Sequence, residues 1–97
     1  MELINNEDKN RFEINIDSKT AFIDYIINRK GVIYLTHTEV PPELEGKGIG
    51  AKMVKEVFNF IQDRELKLIP ICPFIIAYLK RNPKWKVLLD DNFQDKK

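Results

Sequence analysis

The 97-residue chain has one cysteine, one histidine and no long unbroken apolar run. A lone cysteine excludes an internal disulfide framework, and one His with one Cys cannot make up a metal site. Without a long apolar run there is neither a signal-peptide core nor a membrane span, so the expected place is the cytoplasm, with no membrane partner. Charge of one sign is lacking too. Sixteen Lys and Arg stand against fifteen Asp and Glu, a net charge of +1. No overall field then argues for nucleic acid or an anionic surface, and any binding has to be local. Internal repeats and low-complexity tracts are missing as well. At 43% hydrophobic and 32% charged residues the chain supports one small core. Residues 1–90 are expected to form a single domain, and 91–97 a charged, frayed tail.

"RFEINID" alternates Phe12, Ile14 and Ile16 against Arg11, Glu13 and Asn15, the period of a strand with one face on a core. "AFIDYIIN" and "VIYLTHTEV" are β-branched and aromatic, and "NRKG" between them supplies Asn28 and Gly31 for a hairpin turn. A short initial strand around Leu3 and Ile4 fits in front of this meander. Pro41 and Pro42 then interrupt the strand pattern, since neither can donate to a ladder. From Gly48 the period becomes helical: Ile49, Met53, Val54, Val57, Phe58, Phe60 and Ile61 form one stripe, and the helix should end near Arg64. "LKLIPI" reads as a short buried strand, parallel to its neighbour across the crossover. Pro73 suits the first turn of a second helix, and Pro83 closes it. The order β-β-β-α-β-α is that of an α+β domain with one mixed sheet.

"EGKGIGAKM" places Gly46, Gly48 and Gly50 at the mouth of the first helix. Glycine is the poorest helix former after proline, and the usual reason for it there is close backbone approach, most often to an anion. The P-loop pattern fails, because Gly50 is followed by Ala51, Lys52 and Met53. Gly46, Gly48 and Ala51 formally match a dinucleotide fingerprint with Glu65 beyond, but "PPEL" separates them from the strand that motif must leave. A glycine-rich turn that only lets helix and sheet pack closely is the structural alternative.

"VPPELEGKGIG" resembles the acyl-CoA signature of the GCN5-related N-acetyltransferases. Val40, Pro42, Gly48 and Gly50 match, and Glu45 stands where that superfamily usually has Gln or Arg. "PICPFIIAYLKRNPKW" is similar to its last motif, with Ala77, Tyr78 and Trp85 at the corresponding places. The likeness covers residues 11 to about 85. With "HTEVP", "GKGIG" and "CPF" it extends to the minimal subgroup of roughly a hundred residues. It implies a mixed, mostly antiparallel sheet with a V-shaped splay between the strands flanking the main helix. It also implies acetyl-CoA as cofactor and transfer of its acetyl group to a small-molecule or peptidic amine. Backbone amides would cradle the pyrophosphate, and the pantetheine arm would pair with free backbone in the splay. The residues so implied for cofactor binding are Thr38, Glu39, Val40, Gly46, Lys47, Gly48, Ile49, Gly50, Ala51 and Pro73; Lys80 and Arg81 are placed to reach the 3′-phosphate, and equally a basic last turn simply complements a helix dipole. Pro70, which has no amide hydrogen, is a physical cause for the splay; it equally marks an edge strand.

Three residues are candidates for chemistry. Cys72 lies between Pro70 and Pro73 at the expected N-cap of the last helix, where a thiolate is favoured and an acetyl-cysteine intermediate becomes conceivable; a buried small hydrophobe is the other reading. Tyr78 occupies the place of the residue that, by the resemblance, protonates the departing thiolate; a tyrosine within a helix is otherwise core. His37 suits a general base near neutral pH, and by alternation shares a face with Glu39, opposite Thr36 and Thr38; a solvated histidine is the plain alternative. Against an N-acetyltransferase stands a catalytically weak module on the same fold that binds CoA or a protein. Nucleic-acid binding is disfavoured by charge, and a monomer or weak dimer is expected.

Overall fold

The computed structural model describes residues 2–93, so the last four residues of the expected tail lie outside the described residues. Four strands precede the main helix: β1 (Leu3–Asn6), β2 (Arg11–Ile16), β3 (Lys19–Ile27) and β4 (Val32–Glu39). They are followed by α1 (Ile49–Asp63), β5 (Lys67–Pro70) and α2 (Pro73–Arg81). The short initial strand that fits around Leu3 and Ile4 is present, so four strands lead where the order β-β-β-α-β-α counts three. Leu3–Asn6 forms a full ladder with Arg11–Ile14, because its backbone completes the free edge of β2. Among the described residues two 3₁₀ segments complete the fold, Pro42–Leu44 before α1 and Pro83–Leu88 after α2.

The sheet order is β1-β2-β3-β4-β5, antiparallel except for the parallel pair β4 and β5. Its turns follow local chemistry. Asp17 and Ser18 both take positive φ in the two-residue link between β2 and β3, the geometry whose twist suits a tight hairpin. Between β3 and β4, Asn28 Oδ1 accepts from Lys30 N at 2.9 Å and from Val32 N at 3.0 Å, while Gly31 takes φ 82°.

One face of the sheet is apolar and covered. Phe12, Ile14, Ala21, Ile23, Ile33, Leu35 and Leu68 are wholly buried beneath Met53, Val54, Val57, Phe58 and Ile61 of α1 and Ile75 of α2. Each of these side chains except Ala21 contributes about 1.5–3 kcal/mol on leaving water. Phe58 ties the layer together, meeting Tyr78 at 5.6 Å and Trp85 at 5.5 Å between ring centroids, both edge to face. The other face carries Arg11, Glu13, Phe22 and Asp24, partly exposed, and His37 and Glu39, exposed. There Arg11 Nε lies 3.2 Å from Asp24 Oδ1, its guanidinium over the Phe22 ring.

Two irregularities in β4 shape what lies at its end. Leu35 pairs with Tyr25 but His37 pairs with Asp24, which leaves Thr36 as an extra residue, a β-bulge. Leu35 and Thr38, three apart, therefore both face the helices, opposite Tyr25 and Ile23, where a regular strand would put them on opposite faces. On the other side, β5 pairs with β4 only from Val32 to Leu35. At Pro70 the ladder stops, and Ile71 N and Cys72 N both donate to Leu35 O as the chain turns away into α2. Thr36–Glu39 has no β5 partner, and this is the splay.

Candidate active site

The splay opens into a cavity of about 440 Å³ lined by Thr38, Val40, Leu44, Glu45, Gly46, Gly48, Ile49, Gly50, Ala51 and Phe74. Its walls are thus the end of β4, the loop that follows, the first turn of α1 and the start of α2. Among the described residues, none of the six main-chain N–H groups from Gly46 to Ala51 has a well-formed acceptor within the protein; the first N–H to find one is Lys52, which donates to Gly48 O at 3.0 Å. No side chain caps α1, and no acidic residue lies in its first turn. The positive end of a fifteen-residue helix is therefore left uncompensated, next to donors that need acceptors.

Gly46 and Gly48 have φ of 82° and 74°, the left-handed region that side chains disfavour, and a Cβ on either would meet nothing within 4 Å. These two glycines thus keep a turned backbone bare towards open space. Gly50 differs. Its φ is ordinary, but a Cβ there would stand 2.7 Å from Phe74 Cζ. Glu45 also lines the cavity, a carboxylate beside a set of donors otherwise suited to an anion.

Of the cofactor residues expected from sequence, Thr38, Val40, Gly46, Gly48, Ile49, Gly50 and Ala51 share this cavity, while Glu39, Lys47, Pro73, Lys80 and Arg81 do not line it. Lys80 borders a small hollow with Pro70, Leu79 and Leu89 at the far end of α2, about 10 Å along the helix axis from Phe74. Leu44, Glu45 and Phe74 were missing from the expected set. Phe74, half-exposed at the start of a helix, gave the one sequence signal: a large aromatic beside a proline where polar residues usually sit.

The chemical candidates separate in space. Cys72 is the N-cap of α2 and 5% exposed; its Sγ donates to Thr38 Oγ1 at 3.4 Å and caps no helical amide. The thiol thus sits one hydroxyl behind the cavity wall. Tyr78 is buried against Phe58, and its hydroxyl makes no hydrogen bond among the described residues. His37 lies on the opposite sheet face, Nε2 3.0 Å from Glu39 Oε1, the shared face that alternation implies. No group of three or more potential metal ligands occurs among the described residues, and no helix there is long and apolar enough to cross a membrane.

A mixed sheet splayed beside glycine-rich amides at a helix N-terminus is the arrangement of a GNAT-type α+β domain. The chain belongs to the GCN5-related N-acetyltransferase family, whose profile matches residues 11–88. Among curated proteins it is 37% identical over 67 residues to Protein NATD1 of Gallus gallus, covering 69% of this chain and 59% of that protein. The Homo sapiens and Mus musculus proteins of that name are 37% and 33% identical over the same length. The match spans less than two thirds of these relatives. The NMR solution structure of a GCN5-like protein from Staphylococcus aureus superposes with a TM-score of 0.73 at 27% identity, covering 98% of this chain and 91% of that one.

Proposed function

We propose that the protein is an N-acetyltransferase that takes acetyl-CoA as acyl donor in this cavity and passes the acetyl group to a small-molecule or peptidic amine. One observation carries the reading: among the described residues the six N–H groups from Gly46 to Ala51, at the positive end of a helix, have no well-formed protein acceptor, and five of these six residues line a cavity of ligand size. The residues present fit the donor. The Gly46–Ala51 amides suit its pyrophosphate, and Val40, Leu44 and Ile49 offer apolar lining for its arm.

Acetyl-CoA supplies an acetyl group activated as a thioester. Of Cys72, Tyr78 and His37, Cys72 is the one whose side chain hydrogen-bonds a cavity-lining side chain among the described residues, so it is the nucleophile this geometry favours. Its proton already points to Thr38 Oγ1, a relay toward the cavity. In that exchange the bond from Cys72 Sγ to the acetyl carbon would form as the bond from the CoA sulfur breaks, and the thiol proton would end on the departing CoA sulfur; one thioester replaces another, so positioning governs the step. The exposed His37–Glu39 pair, on the sheet face opposite the helices, is left with no assigned step.

Incubation with acetyl-CoA alone, followed by acid quench and peptide mass mapping, tests this route. An acetyl group on Cys72 that is lost when a competent amine is added supports it. Transfer at full rate in Cys72→Ala overturns the two-step route and leaves direct attack by the amine. The burial of Cys72 favours a second reading, a module that binds CoA without turnover. Tight binding with no transfer across a panel of amines decides for that second reading.

A further inference from the structure

Phe74 is the cavity residue that neither the anion reading nor the apolar lining explains. It is 38% exposed, a large aromatic at the second position of α2, and its ring tip lies where a side chain of Gly50 would begin: Cζ 2.7 Å, Cε2 3.4 Å and Cε1 3.5 Å from an ideal Cβ. Gly46 and Gly48, by contrast, face open space with positive φ. The three glycines therefore answer two different demands. The first two serve the backbone turn, and the third makes room for a ring from another helix.

We infer that Gly50 is glycine in order to seat Phe74, and that the seated ring positions the sulfur-bearing arm of the CoA-type ligand. The inference rests on the acyl-CoA reading of the cavity. The ring bridges the first turns of α1 and α2 and is two residues from Cys72, whose thiol contacts Thr38. The ring thus reaches from the Cys72 end of α2 to the first turn of α1 and lines the cavity between them. A methyl group at Gly50 cannot be absorbed at 2.7 Å, so the ring must move.

A double-mutant cycle separates this role from direct contact between Gly50 and ligand. Calorimetry should show Gly50→Ala weakening CoA binding about tenfold, the scale of an overpacked contact, with the variant still folded because alanine favours a helix. In the Phe74→Leu background, where the ring tip is gone, the same Gly50→Ala change should cost less than about twofold. Adenosine 3′-phosphate 5′-diphosphate, which keeps the pyrophosphate and lacks the arm, should bind all four proteins alike. An NOE between the Phe74 ring protons and the Gly50 α protons in the free protein reports the contact itself. Equal losses from Gly50→Ala in both backgrounds would mean that the ligand itself needs the bare glycine, and the inference falls. Absence of the NOE overturns it as well. If the wild type binds neither CoA nor the nucleotide, the acyl-CoA reading fails and takes the positioning role with it, while the NOE still decides the packing contact separately.

Discussion

Gly48 shows how much one residue's backbone angle decides. At φ 74° it turns the loop into α1, and a side chain there is both conformationally strained and projected into open cavity. Gly48→Val is expected to weaken CoA binding at least about tenfold in a folded protein, as read by calorimetry; unchanged affinity would place the pyrophosphate elsewhere. Glu45 acts in the opposite sense. The residue lines a cavity whose amides suit an anion, and its negative charge lies within a Debye length of them, so Glu45→Gln should tighten CoA binding about threefold at low salt, with the gain shrinking as salt rises. A salt-independent or absent effect would show that Glu45 points away from the bound charge. The glycines were legible because their sequence spacing resembles a known signature. The contact between Gly50 and Phe74 was not, since 24 residues and a whole strand separate the two.

At the scale of elements, Phe58 is the joint of the helical layer. It lies wholly buried on α1 and receives Tyr78 from α2 and Trp85 from the 3₁₀ segment Pro83–Leu88, so its ring holds three elements to one another. Phe58→Ala should cost about 3–5 kcal/mol in urea unfolding, the range for a buried aromatic replaced by a cavity. A cost near 1 kcal/mol would mean that the layer collapses around the gap. The apolar stripe of α1 and the alternation of β2 were readable because each is a local period. The bulge at Thr36 was not, because it arises only from how β3 meets β4.

For the molecule as a whole, stability should vary with pH in a direction set by Tyr25. Burial first, and then the negative charge of Glu7, raise its phenol above the ordinary 10.0, against the opposing hydrogen bond to Asn5. The folded state therefore holds this proton more tightly than the unfolded chain. That contribution is fully present below about pH 10 and is lost as pH rises through the folded value. Urea midpoints should fall in that alkaline window, and Tyr25→Phe should flatten the fall; an identical slope in the variant would assign the loss to other groups.

From sequence alone came the periods and the breakers: strands where apolar residues alternate, a helix where they recur every three or four, turns at Asn28 and Gly31, a broken ladder at Pro70 and bare backbone at Gly46 and Gly48. Each depends on neighbours within a turn or a pleat, where chemistry and spacing are contiguous in the chain. Only the folded chain decided that Thr38, 34 residues before Cys72, accepts its thiol proton, that the bulge turns Thr38 inward and His37 outward, and that Phe74 rests on Gly50. The reason is geometric: such contacts depend on strand register and on how two helices return to one end of the sheet, and no local period encodes either.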